Sequence, residues 1–336
     1  MKTGKLPLDM LSRLLGEIEI TDPRVALGPR PGEDAALIDF GDRYLVANTD
    51  PITFATDRIG WYLVQINAND LAVMGATPRW LMATLLLPEA TSAEQVGDLF
   101  KQLRDACAAM EITLVGGHTE ITHDLNRPIA VGALLGEVDK ERVVRSGGAQ
   151  PGDRIVLAGA IAVEGTAILA REAEKPLRRA GVDQAVIDQA NRLLFAPGIS
   201  IVPAARIACN SVRVNAMHDP TEGGLATGLL EIAKAAGVGL TVYADRIPVI
   251  DECQAICVAL GLDPLGLIAS GSLLAVVPPA DAPTLIAALR AQGIAACDIG
   301  AVTAPTDGLH LADGEEVRNL PVFERDELAR FLDQPR

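Results

Sequence analysis

The chain has 336 residues, 49% of them hydrophobic and only 3% aromatic, so a packed core resting on Ala, Val, Ile and Leu is expected. The formal net charge of -15 leaves no basic surplus to neutralise phosphates, which argues against a nucleic-acid partner. Five scattered cysteines without a CxxC pair exclude a disulfide framework and a zinc knuckle.

The N-terminal stretch carries Asp9, Arg13 and Glu17 where a signal peptide needs an unbroken apolar run, and no segment reaches membrane-spanning length without charge. A cytoplasmic setting with no membrane partner is expected. Residues 34–50 read as two strand-like runs around the turn signal Gly41-Asp42. Folded as a hairpin, they bring Asp34 opposite Asp50 or within one residue of it, where like charges repel unless a cation lies between. A pair of solvated strand-end acids is the plainer alternative.

The next helix places Ile59, Leu63, Ile66 and Asp70 on one stripe, with Asn67 flanking it. A carboxylate on a buried face needs a partner, either a metal ion or a salt bridge. From Thr91 to Met110 the apolar positions follow a helical period, and Thr91 and Glu94 have capping-box spacing. Leu114 to Glu120 (LVGGHTE) reads as a strand running into paired glycines. Gly116 and Gly117 there would let backbone amides approach a phosphate, or would simply form a turn. His118 is a ligand, an acid–base group or a turn residue.

Arg145 to Asp153 (RSGGAQPGD) lies between two apolar runs and divides the chain into domains 1–148 and 149–336. The first half reads strand, strand, helix, strand, helix, strand, strand; the second alternates strands and helices. Both are mixed α/β layers. In the second half, Val214 to Leu225 (VNAMHDPTEGGL) runs from a strand through Asp219 into a helix with Thr221 as its N-cap. A helix start favours phosphate, and Asp219 and Glu222 favour a metal ion, so together they suit a metal–phosphate complex. Cys253 and Cys257 share a helix face as small core residues. There is no Walker A motif.

In order along the chain, GEDAALI from Gly32, NTD ending at Asp50, NDLAVMGATP from Asn69, GGHTE from Gly116, PGDRIVLAG from Pro151, DPTEGGLA from Asp219 and ASGSLLAVV from Ala269 resemble the aminoimidazole ribonucleotide (AIR) synthetase, or PurM-like, superfamily. The second half is most similar to its HypE group, through DPTEGGLA and ASGSLLAVV, and EGTAILA (Glu164 to Ala170) is shared with HypE-like, AIR-synthase-related proteins.

The resemblance implies two mixed α/β domains of the AIR synthetase-like fold, the strands of the first completing a barrel with a second copy, hence a homodimer. It implies ATP in the cleft between domains and Mg²⁺ held by acids. Asp34, Asp50, Asp70 and Asp219 inherit the metal role, and Glu222 matches a second acid of the thiamine-monophosphate kinases. Gly116, Gly117 and Thr119 inherit nucleotide contacts, joined by Gly32, Glu33, Asn67, Thr221, Gly223 and Gly224. His118 stands where those kinases carry Asp, with Glu120 as the substitute for the missing carboxylate; the two are the catalytic candidates. The expected activity is Mg²⁺-dependent phosphoryl transfer from ATP to an oxygen, of a carboxamide in the HypE and synthetase branches, on a small-molecule or peptide acceptor. The alternatives are a small-molecule kinase and a non-catalytic nucleotide-binding protein. The HypE group ends in Pro-Arg-Ile-Cys, whereas this sequence reads Leu332-Asp333-Gln334-Pro335-Arg336, which sets an expectation against HypE dehydratase activity by a terminal thiol.

Overall fold

A computed structural model describes residue 6 and residues 8–53 and 57–333. Gln334, Pro335 and Arg336 of the tail lie outside the described residues. The chain forms two compact units. One comprises Ile20–Gly28 and Asp34–Val143; the other takes the described residues up to Glu19, Pro29–Glu33, and those from Val144 onward. The chain thus changes unit at Val144, a few residues ahead of the expected cut, and two early segments cross to the later unit.

The early chain holds α1 (Leu8–Gly16), β1 (Val25–Leu27), β2 (Ala36–Asp39), β3 (Arg43–Ile52), α2 (Ile59–Val73), β4 (Thr77–Leu87), α3 (Ala93–Ala109), β5 (Thr113–Ile121) and β6 (Ile129–Asp139). The order read from sequence is present, with α1 and β1, both short, added. Gly41 does turn the chain: its N–H donates to Asp39 Oδ1 at 2.8 Å, and β2 pairs β3 from Ala36↔Ala47 to Asp39↔Tyr44. The sheet order is β1-β2-β3-β6-β4-β5, antiparallel except for β4 with β5. In β6 every second residue from Ala130 to Val138 is buried, the signature of a sheet with one covered face. On that face lies α2, with α3 packed on α2.

Burial corrects the reading of α2. Nearly every residue from Ile59 to Val73 is buried, so it is a central helix without the one-sided stripe inferred from spacing. Its apolar residues are spread over every face, as in a helix between a sheet and another helix, with Gln65, Asn67, Asn69 and Asp70 buried among them. The start of α3 also moves by one residue. Ser92 Oγ accepts from Gln95 N at 3.2 Å and Gln95 Oε1 from Ser92 N at 2.7 Å, so the capping box is Ser92/Gln95, not Thr91/Glu94. Two boxes overlap in the sequence, and the helix phase selects the one whose side chains reach.

The other unit continues with β7 (Arg154–Ala158), α4 (Val163–Glu172), α5 (Glu174–Arg179), α6 (Gln184–Arg192), α7 (Val202–Ser211), β8 (Ala216–His218), α8 (Gly224–Ala236), β9 (Gly239–Tyr243), α9 (Asp251–Leu260), β10 (Leu273–Val277), α10 (Ala282–Ala291), β11 (Ala296–Thr303), β12 (Leu309–Asp313), β13 (Glu316–Asn319) and α11 (Glu327–Leu332). Its sheet runs β13-β12-β9-β11-β7-β10-β8. β10, next to the edge strand β8, is buried at every position, so both of its faces are covered. Cys253 and Cys257 are buried one turn apart on α9, Sγ to Sγ 3.9 Å, as expected. Cys297 on β11 is half-buried, and burial pushes its thiol up.

Candidate active site

In the first unit the polar residues meet where β3 crosses α2. Asn48 and Asp50 share a face of β3 with buried Val46 and Ile52, and so face the helix. Asn48 Nδ2 donates to Asp70 Oδ2. One turn earlier, Asn67 Oδ1 accepts from Asp50 N at 3.1 Å, and Asn67 Nδ2 donates to Leu63 O at 2.8 Å. Asn67 is fully buried and is clamped by the sheet: a Cβ added at Gly132, on β6 opposite Asp50, would stand 2.5 Å from Asn67 Nδ2. Asp70 is only 7% exposed. Asp34 precedes β2, and the β2–β3 register continued two residues back sets it beside Thr49, one residue from Asp50.

These residues offer hard oxygen donors, and Asn48 Oδ1, buried beside Asp70, has no hydrogen-bond partner. Carboxylate and amide oxygens suit Mg²⁺ rather than a thiolate-seeking metal. Asp34, Asp50 and Asp70 would hold it from this unit. Asn67 serves differently from its expected nucleotide contact. Its side chain is spent on Leu63 and Asp50, so it locks the helix to the strand.

β5 differs from expectation. The strand does not end at the glycines but runs through them at the sheet edge, pairing Met82↔Gly116 to Leu87↔Ile121 with β4. The register shift between Leu81 and Met82 leaves Val115 as an extra residue, a bulge. Gly117 sits at φ 147, and a Cβ there would fall 1.9 Å from Ala83 O, so close strand approach, rather than a phosphate turn, requires this glycine. Gly116, His118, Thr119 and Glu120 are exposed. His118 Nε2 lies 3.1 Å from Glu120 Oε2, and Thr122 Oγ1 donates to Glu120 Oε1 at 2.9 Å. The His118 ring, then Thr122, hold the Glu120 carboxyl below its usual range. The two catalytic candidates thus form one imidazole–carboxylate pair.

In the second unit the site centres on the turn from β8 to α8. His218 and Asp219 are 4% and 1% exposed. His218 Nε2 lies 2.8 Å from Glu231 Oε2, two turns into α8. Sequence reasoning passed over His218 and Glu231; the signal was a charged residue on the helix face that also carries Gly224 and Gly228. Thr221 is not the N-cap. Gly223 takes that place at φ 81, and Thr221 O instead accepts from Gly224 N at 3.0 Å and Ala269 N at 3.3 Å. Gly224 is held at φ 65 against Leu265 O, where a Cβ would stand 2.4 Å away. Two left-handed glycines therefore delay the helix beyond Thr221. Glu222 is half-buried on this turn, next in sequence to Gly223.

Nearby in the same unit, Gly32 at φ 82 lets its loop lie on α8, 2.9 Å from Glu231 O for a built Cβ. Glu33 pairs with Arg145 at 3.3 Å. A cleft of about 210 Å³ is lined by Arg30, Glu33, Arg145, Gly147 and Gly148; Gly32 flanks it. The Arg145 charge is met by Glu33, which leaves Arg30 as the cation the cleft turns to an anion.

Two mixed sheets with an acid–amide patch under one central helix and a glycine-braced acidic turn in the other unit define an AIR-synthetase-like protein. The chain belongs to the AIR synthase related protein family, whose N-terminal domain matches residues 32–138 and whose C-terminal domain matches residues 150–311. It is 32% identical to a hydrogenase expression/formation protein of Methanocaldococcus jannaschii over 298 residues, covering 85% of this chain and 84% of that one. It is also 32% identical to the carbamoyl dehydratase HypE of Cupriavidus necator, over 84% of this chain and 79% of the relative. Among solved structures, the hydrogenase maturation protein HypE in complex with ATP has the same fold, with a TM-score of 0.67, 24% identity and coverage of 94% and 96%. The chain is therefore HypE-like within a PurM-like family.

Proposed function

We propose that this chain is an ATP- and Mg²⁺-dependent enzyme that transfers a phosphoryl group to the oxygen of a carboxamide acceptor. The observation that carries the reading is the hydrogen-bonded patch of Asp50, Asn67, Asn48 and Asp70 in an otherwise apolar helix–strand contact. Asn67 is satisfied as the clamp, while Asn48 Oδ1, without a hydrogen-bond partner among the described residues, and the buried Asp70 carboxylate beside it offer oxygens to a ligand. Phosphoryl transfer asks for positioning and charge neutralisation more than for a covalent catalyst. Bound Mg²⁺ would neutralise phosphate charge. Asp34, Asp50 and Asp70, and in the other unit Asp219 and Glu222, are the proposed ligands. The left-handed turn at Gly223-Gly224 presents backbone amides suited to phosphate. His118 and Glu120 are poised to pass a proton, the carboxylate orienting the ring. ATP is found with a HypE of this fold, and carboxamide chemistry is in the name of the Cupriavidus relative. A cytoplasmic setting fits five free cysteines.

The test incubates the protein with Mg²⁺-ATP and either carboxamides or monophosphates and identifies products by mass spectrometry. Phosphorylated or dehydrated amide is the expected product. A phosphorylated monophosphate would make the protein a kinase, and no ATP consumption with any acceptor would leave only binding.

A further inference from the structure

The turn Asp219–Gly224 enters α8 without a local fastening. Its N-cap, Gly223, has no side chain to offer, and the third helical residue, Ala226, cannot reach back to the N-cap N–H as Glu or Gln does in a capping box. Two successive left-handed glycines also cost more backbone entropy to order than any other pair. A turn that carries the proposed metal ligands Asp219 and Glu222 therefore needs an anchor from elsewhere.

That anchor lies 103 residues further on. Asp326 Oδ2 accepts from Gly223 N at 2.6 Å, so Asp326 does from a distance what the third residue of a capping box does locally. Its Oδ1 accepts from Leu328 N at 2.7 Å as the cap of α11. Capping a six-residue helix does not call for a buried carboxylate, since a serine would serve, yet Asp326 is only 5% exposed. Burying the charge is costly, and two backbone N–H donors offset that cost with bonds roughly twice as strong as neutral ones. The same segment reaches the turn by a second route. The Phe323 ring lies on Gly266, 2.4 Å from a Cβ built there, and Leu265 O and Leu267 O on either side close on Gly224 at 2.4 and 2.8 Å from its built Cβ. Farther from the turn, Glu327 Oε2 accepts from Asp263 N at 3.0 Å, and Arg330 donates to Gly261 O at 2.7 Å.

We infer that Asp326 is a positioning residue for the phosphoryl-transfer site: it fixes the backbone of the turn that carries Asp219 and Glu222. The inference rests on the metal-ligand reading of those two acids, and its test has a readout that does not. Released from Asp326, the turn samples other conformations, and apparent affinity falls by the fraction that stays competent. Asp326→Ser keeps a cap for α11 but is too short to reach Gly223. Titration calorimetry of the full chain with Mg²⁺-ATP should show its affinity reduced about tenfold, the loss of one charged hydrogen bond. Hydrogen exchange over residues 219–226 should quicken. Arg330→Ala loosens the same segment away from the turn; it should lower Tm yet leave affinity within about twofold and exchange over 219–226 unchanged. If Asp326→Ser does not fold, Asp326→Asn, which keeps a single acceptor oxygen, takes its place. Unchanged affinity in the folded variant overturns the inference, as does an equal loss in Arg330→Ala, which would mark general loosening. Tighter binding overturns it too, because Asp326 would then be competing with phosphate for the Gly223 N–H. A wild type that does not bind Mg²⁺-ATP removes the enzyme reading instead. Exchange then decides alone, and equal rates over 219–226 in variant and wild type overturn the anchor.

Discussion

Replacing Glu164 by Gln should make the protein more stable, by an amount that depends on pH. Burial pushes the Glu164 carboxyl up to about 7, with the charges of Asp326 and Glu222 adding to it and Ser270 opposing. In the unfolded chain it ionises near its ordinary 4.5. Between those values the folded protein holds a proton that the unfolded chain has lost, so stability falls as pH rises across the window and stays low above it. At about 1.4 kcal/mol per unit, the penalty is ~3 kcal/mol once the group is ionised in both states. Gln cannot ionise and nearly matches the shape. The variant should equal wild type near pH 4.5 and exceed it by ~3 kcal/mol at pH 8.5, less whatever Asp326 gives back by ionising more easily. Urea unfolding at several pH values measures this, read by far-UV circular dichroism. A stability difference that is flat with pH, or a variant less stable than wild type at pH 8.5, would refute the reasoning.

Asp70→Asn should abolish most of the Mg²⁺-dependent part of ATP stabilisation, measured by thermal unfolding with and without Mg²⁺; equal stabilisation in all conditions would remove Asp70 from the metal site. Gly224→Ala should destabilise by ~2 kcal/mol or more in chemical unfolding, because it combines a left-handed backbone with a built Cβ 2.4 Å from Leu265 O. The protein should sediment as a homodimer at micromolar concentration. Edge strand β5 is exposed along nearly its whole length, with Val115 and Ile121 52% and 55% open, and unpaired apolar edges are a liability. Val115→Lys should shift it towards monomer, and a wild-type monomer would sink the proposed barrel.

The hairpin at Gly41 and the strand-to-helix passage through Asp219 were legible because each is local: turn residues after a strand-like run, then a helical period. Local pattern misjudged α2. Spacing showed a stripe holding Asp70, but a helix covered by both a sheet and α3 has no single buried face. It likewise put the cap of α8 on Thr221, where hydroxyl chemistry allows it, although the left-handed glycines after it move the helix start.

By itself, the sequence determined the family, the element order and the acids worth watching, since these rest on residue identity and short-range periodicity. Only the tertiary structure decided which side chains meet. Asn67 is a buried clamp rather than a nucleotide contact because Gly132, far along the chain, lets the strand come within reach of it. Glu164 and Asp326 meet the same turn across more than a hundred residues because Gly165 bonds Ile268 and Gly223 bonds Asp326. Such convergence depends on packing between distant segments, and no spacing along a chain encodes it.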